Sequence, residues 1–171
     1  MATLVDILNL IAARRSRRPA RIYPAVDALF TRLAAAPRDE ALDAEERIWD
    51  AWMHHPHREA ARVLDLATRD IAARRYDIAE TRLSALVRSD PGFAEAWHKR
   101  ATLYYILGRD AECLHDIRRT LELEPRHFAA MMHFAEILLG RSDRSAARFA
   151  CRAVLALHPH LQRARELVHI P

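Results

Sequence analysis

Apolar residues at Leu4, Ile7, Leu8 and Ile11 recur at helical spacing and predict an amphipathic helix from Thr3 to about Arg15. Arg17, Arg18, Pro19 and Arg21 break the pattern. A second helix is predicted from Pro24 to Ala36, because proline suits a helix's first turn. Pro37-Arg38-Asp39 ends it, and a third helix follows from about Glu40 to His54. Trp49 and Trp52 lie three apart beside Ile48, a spacing that fits a packed core better than a cofactor pocket. Beyond residue 57 the predicted helices pair: 58–73 with 76–89, 92–107 with 110–123, and 126–139 with 143–157. A last short helix, 160–168, would present Leu161, Leu167 and Val168 to the end of the array.

These pairs repeat in phase. Pro91, Pro125 and Pro159 stand at a constant interval, and Ala79, Cys113 and Ala147 keep the same interval. Leu83, Ile117 and Cys151 fall in step, one helical turn after the small residues. Small side chains let two helices approach closely, and each proline ends the second helix of a pair by denying it a backbone donor. Gly108 supplies the helix-ending conformation in the middle copy, and neither flanking copy has a glycine there. The central copy reads Ala94-Glu95-Ala96-Trp97, Ala101, Tyr104-Tyr105, Leu107-Gly108-Arg109, Cys113, Ile117 and Glu124-Pro125. It resembles the tetratricopeptide repeat, a helix-turn-helix unit. Cys113 replaces the usual alanine, Ile117 the usual aromatic, and Arg100 a usual buried leucine.

The resemblance covers residues 58 to 161, as repeats at about 60–93, 94–127 and 128–161. The strings Trp97-His98-Lys99-Arg100-Ala101-Thr102 and Leu123-Glu124-Pro125-Arg126-His127-Phe128 look like those of short bacterial members of unassigned role. It implies an all-α, right-handed solenoid of stacked antiparallel helix pairs. Residues 1–23 form a basic amphipathic arm ahead of it. Residues 24–57 form a helical hairpin, read either as a decayed first repeat or as a plain cap. Ala44, Ile48, Ala51 and Pro56 sit one residue out of phase with the repeat's small, apolar, small and proline positions.

The resemblance also implies a partner polypeptide held in a concave groove lined by the first helices. On that face the repeat frame places Leu64, Thr68 and Ile71, then Glu95, His98, Lys99, Thr102 and Tyr105, then Ala129, Met132, His133 and Glu136. Repeats that clamp a C-terminal carboxylate carry lysine, arginine and asparagine across three copies. Here Leu64, Thr68, Ala129 and His133 hold most of those positions and only Lys99 could serve, which disfavours such a clamp. A helix or an extended apolar segment fits the groove better. Arg100 at a core position demands a carboxylate, with Glu124 the expected partner. Alternatively, Arg100, Arg126 and His127 together contact an anionic group of a partner.

Composition narrows the function classes. Three glycines, at 92, 108 and 140, leave no phosphate-binding glycine loop. No His-Glu-x-x-His is present, and Ser16, Ser84, Ser89, Ser142 and Ser145 lack a nucleophile-elbow setting. The chain is read as non-enzymatic, with no cofactor, no metal and no small-molecule substrate. His54, His55 and His57 crowd around Pro56, but metal sites demand fixed geometry, no cysteine is near, and the segment reads as a loop between helices. Cys113 and Cys151 fall at packing positions and read as structural thiols.

The net charge of +4 is all in the arm: Arg14, Arg15, Arg17, Arg18 and Arg21 stand against Asp6, and the remainder balances. This makes the arm the rival functional element. Its apolar face has three outlets: docking on the repeats or a partner, or lying on an anionic membrane at about 1 kcal/mol per basic residue, or serving a peripheral subunit anchored to a larger complex. Nucleic acid is disfavoured, since no aromatic residues interleave the arginines. No apolar run approaches the ~18 residues of a membrane span, and a cytoplasmic location is expected, with a membrane-peripheral one as the variant.

Overall fold

The computed structural model describes residues 3–20 and 24–169, among which there are ten α-helices and no strand. They are α1 (Leu4–Ala13), followed by a 3-10 turn Arg14–Ser16, α2 (Pro24–Ala35), α3 (Arg38–Met53), α4 (Arg58–Ala72) and α5 (Tyr76–Ser89). Then come α6 (Ala94–Ile106), α7 (Asp110–Leu123), α8 (Phe128–Gly140), α9 (Arg144–Leu155) and α10 (Gln162–Val168). Helices α4–α5, α6–α7 and α8–α9 form consecutive antiparallel pairs, and α10 packs on α9. The architecture is an all-α solenoid of stacked helix pairs.

Each pair turns on the same backbone device. Arg74, Gly108 and Ser142 all have a positive φ, at 57°, 67° and 63°, and they recur at the repeat interval. In each copy the next residue donates its N–H five residues back: Arg75 to Asp70 at 2.8 Å, Arg109 to Tyr104 at 2.9 Å, and Asp143 to Leu138 at 2.9 Å. This is a left-handed helix terminator repeated three times. Only the middle copy has the glycine that makes it inexpensive, so Arg74 and Ser142 carry the strain that side chains meet in that region. A Cβ at Gly108 would meet nothing within 4 Å, so strain there would be conformational and not steric.

Behind the turns, Ala79, Cys113 and Ala147 are fully buried, as are Leu83, Ile117 and Cys151. Desolvation, followed by the charges of Asp116 and Asp110, pushes the Cys113 thiol up to about 12. It is therefore a packing group and not a nucleophile.

The described residues ahead of α4 fold back on the repeats. Helix α1 starts with a reciprocal cap, in which Asp6 N–H donates to Thr3 Oγ1 and Thr3 N–H to Asp6 Oδ2. Its Ile7 and Ile11 are fully buried against α7 and α9, the second helices of two repeats. Arg17 then donates to the carbonyls of Leu121 and Glu122, and Ala20 N–H to that of Leu123 at 2.7 Å, closing the carbonyl end of α7.

Helix α3 buries Ala41, Ala44, Ile48 and Trp52 on one face and crosses the edge where each repeat passes into the next. Glu45 accepts from His158 at 2.9 Å, Trp52 stacks on His127 at 4.1 Å, and His55 lies against Phe93 with Nε2 2.5 Å from Asp90. From α2, Asp27 takes Arg126. The hairpin and the residues after it thus touch the linkers after all three repeats, and α3 also meets α4. Its apolar residues share one core with repeats two and three, and a second core joins α4 and α5 to Phe93, Ala96, Trp97 and Leu103, with Met53 packed against it.

The turn geometry and the docking of α1 each give an expectation. Arg74→Gly and Ser142→Gly should each stabilise the protein by about 0.5–1 kcal/mol in urea unfolding, and Gly108→Ala should lower stability by about 1 kcal/mol. Ile11→Ala should cost about 2–4 kcal/mol in the same assay, the penalty of a core cavity. An arm lying free of the body would leave the midpoint unmoved.

Candidate functional site

The face formed by α4, α6 and α8 carries the expected groove residues, and α3 divides it in two. Near the helix starts it is closed: Glu95 and His98 are 1% and 3% exposed, and Leu64 and Met132 are buried as well. Trp49 closes this half, with ring centroids 5.9 Å from His98, 6.0 Å from His127 and 5.6 Å from Phe128. Toward the helix ends the face opens. Thr68, Ile71, Thr102, His133 and Glu136 are half-buried, and Tyr105 is exposed. Thr68 and Thr102 turn their hydroxyls back to the carbonyls four residues earlier, Leu64 and His98, which leaves their methyl groups for packing. Tyr105 stacks on His133 at 5.2 Å, and Glu136 accepts from Arg163 of α10 at 3.0 Å.

Under α3 lies a buried carboxylate with three donors. Glu95 Oε1 is 3.1 Å from His98 Nδ1 and 3.2 Å from Lys99 Nζ, and Oε2 is 2.9 Å from His127 Nε2. Desolvation alone would raise the Glu95 pKa, but the surrounding histidines outweigh it and hold the group well below the usual carboxylate range. Burial drives His98 down to about 3, against the raising pull of Glu95, so its ring is neutral at ordinary pH. His133, beside it, is also lowered by burial.

Glu95, His98 and His127 offer ligand atoms within 4.8 Å of one another, a combination that sequence spacing did not single out. The proton arrangement, however, argues against a cation. His127 Nδ1 accepts the Ala130 N–H at 3.2 Å, so the ring's one proton sits on Nε2 and is donated to Glu95. That nitrogen has no free lone pair for a metal, and Lys99 already supplies the countercharge. The cluster is a satisfied carboxylate cage with Trp49 and Trp52 as its lid.

The three residues grouped as an anion contact have separate partners. Arg100 grips Asp116 with Nε and Nη2, at 2.6 and 2.9 Å, and lies over the Trp97 ring. The expected partner, Glu124, is instead taken by Arg126 at 3.0 Å. The antiparallel pairing explains the correction: Arg100 and Asp116 are equally far from the turn at Gly108, whereas Glu124 lies opposite the start of α6. Arg126 also holds Asp27, and His127 is spent on Glu95. Of the arm, Arg14, Arg15, Arg17 and Arg18 gather beside Arg126 around a surface cavity. Arg21 lies outside the described residues.

Three antiparallel pairs turning on equivalent left-handed residues, with small residues in phase at the helix crossings, settle the architecture. This all-α arrangement fits a tetratricopeptide repeat protein. The chain is 27% identical over 146 residues to a TPR repeat-containing protein of Rhizobium etli, covering 85% of this chain and 72% of that protein. It is 28% identical over 111 residues to a tetratricopeptide repeat and J domain-containing co-chaperone of Cryptococcus neoformans, covering 65% of this chain but 21% of that protein. No family model matches the chain. No helix among the described residues is long and apolar enough to cross a membrane.

The cage makes stability pH-dependent. A histidine whose folded pKa lies below its unfolded value contributes fully above the unfolded value, near 6.5, and loses that contribution as pH falls toward the folded one, about 3. Denaturant unfolding from pH 7 to 4 should therefore show falling stability. His98→Gln should flatten the slope by up to about 1.4 kcal/mol per pH unit. An identical slope in the variant would place the acid sensitivity elsewhere.

Proposed function

We propose that the protein is a non-catalytic scaffold that holds a partner polypeptide on the face of α4, α6 and α8. The names of both relatives support a protein-interaction role in general, and the geometry supports a particular stretch of that face. The observation that carries the reading is the exposed Tyr105 stacked on His133, which forms an aromatic shelf spanning two repeats. Large rigid aromatics at low entropic cost are the usual anchors of recognition surfaces.

Because Trp49 and Trp52 fill the half near the helix starts, the partner is read by the other half: Thr68, Ile71, Thr102, Tyr105, His133 and Glu136. An apolar partner segment would cover Ile71 and the Tyr105 ring, and a donor on it would meet Glu136. Leu64, Glu95, His98 and Met132 then act as support beneath the contact, and Lys99, 19% exposed, stands at the boundary. The rival reading, a subunit anchored to a membrane by the arm, has less support, since Ile7 and Ile11 already spend the arm's apolar face inside the molecule.

A photo-crosslinking amino acid placed at Thr102 should trap a polypeptide in cells, and one placed at the more exposed Leu42 of α3 should not. Tyr105→Ala should weaken capture of that polypeptide about tenfold or more, as loss of a central aromatic does. Equal trapping from both positions, or an unaffected Tyr105 variant, would refute the reading.

A further inference from the structure

The fold gathers Arg14, Arg15, Arg17 and Arg18 of the arm around a single cavity. The 3-10 turn Arg14–Ser16 and the segment after it bring Arg14, Arg15, Arg17, Arg18 and Pro19 beside Asp27, Arg126 and Leu157. The cavity has a volume of about 260 Å³, room for several waters at ~30 Å³ each. Two of its guanidiniums are fixed as walls. Arg17 is pinned to the carbonyls of Leu121 and Glu122 at 3.1 and 3.0 Å, and Arg126 to Glu124 and Asp27. Arg14 donates through Nη1 to Ile11 O at 2.9 Å, but its Nε is buried without a hydrogen-bond partner among the described residues.

Arg15 and Arg18 are exposed and have no carboxylate among the described residues. Asp27 is the one acidic residue lining the cavity, and it is already engaged by Arg126. Bringing guanidiniums together costs Coulomb energy that the fold itself does not recover here. A multiply charged anion would reverse the sign of that cost, and the planar guanidinium fork matches phosphoryl oxygens in pairs. Burial and the neighbouring Arg15 both disfavour charge on Arg14, so an anion would relieve it most.

We infer that this arginine cavity is a binding site for a compact phosphoryl-bearing anion, walled by Arg17 and Arg126 and closed by Arg14, Arg15 and Arg18. The site uses none of the residues of the proposed polypeptide groove, and it stands or falls independently of that reading. The anion can be free or borne on a lipid headgroup, since the same oxygens would be gripped. The arm's apolar face is not available to enter a bilayer, so a headgroup would have to be taken from the surface alone.

Calorimetric titration of the full chain with inorganic pyrophosphate at low salt tests the site. Binding should saturate at one equivalent, weaken as salt rises, and fall at least tenfold in Arg15→Gln/Arg18→Gln. That pair has no carboxylate partner to lose among the described residues, so the fold should stand. Arg58→Gln/Arg88→Gln removes equal charge from α4 and α5 and should bind as the parent does. No saturable binding, or an equal loss in both double variants, would overturn the inference.

Phosphatidylcholine vesicles carrying phosphatidylinositol phosphate form the second arm. Sedimentation with them that pyrophosphate displaces, and that only the first double variant loses, assigns the phosphoryl group to a lipid. Pyrophosphate binding without sedimentation assigns it to a soluble anion. Sedimentation indifferent to pyrophosphate and equal in both variants would count against a defined cavity.

Discussion

Antiparallel pairing about one left-handed residue sets the register on which everything else in this molecule depends. With Arg74, Gly108 and Ser142 fixed in that conformation, the partners across each pair are fixed by their distance from the turn. Arg100 meets Asp116 for this reason, and the small residues Ala79, Cys113 and Ala147 fall where the helices come closest. The same register brings Asp90, Glu124 and His158, the residues just before each repeat's proline, into line along one edge. That row is the seat of the α2–α3 hairpin, through His55, Arg126 with Asp27, and Glu45. A departure at one turn would break the row and unseat the hairpin.

The hairpin in turn makes the Glu95 cage possible. An ionised carboxylate that is 1% exposed would be costly without partners, and Lys99, His98 and His127 supply them while Trp49 and Trp52 keep water out. The tryptophans therefore both fill the half of the groove near the helix starts and stabilise the charge beneath it. The half that opens at Tyr105 is left uncovered. The structure narrows the face, and the narrowing comes from the molecule's own N-terminal third.

The helices of the repeats were legible because their signals are local. Prolines, small residues and helical spacing place α4 to α10 within a few residues of their actual ends. Tyr105, His133 and Glu136 were also legible as outward-facing, since the phase of the repeat decides which way they point. What the sequence could not reveal is where α1 to α3 go. Ile7 and Ile11 announce a buried face without saying what covers it, and Trp49 and Trp52 announce a core without saying whose. Those answers rest on contacts across about a hundred residues, such as Glu45 with His158. The Glu95–His98–His127 cage escaped notice for a similar reason: His127 comes from the far end of the same repeat, and Glu95 and His98 had been assigned to the groove. The left-handed turns at Arg74 and Ser142 were hidden because the glycine that marks them is present in one copy only.

The reach of α1 to α3 across all three repeats changes what kind of object the array is. A plain stack of helix pairs touches only its neighbours, so its ends can fray while its middle holds. Here a segment made before the repeats is seated on the later of them, with Ala20 bonded to Leu123 and His158 to Glu45. Such long-range closure slows folding, and it leaves the apolar faces of α1 and α3 uncovered until the third repeat emerges. In exchange, opening any one repeat releases part of the clasp shared by the others, so the three lose structure together and not from one end.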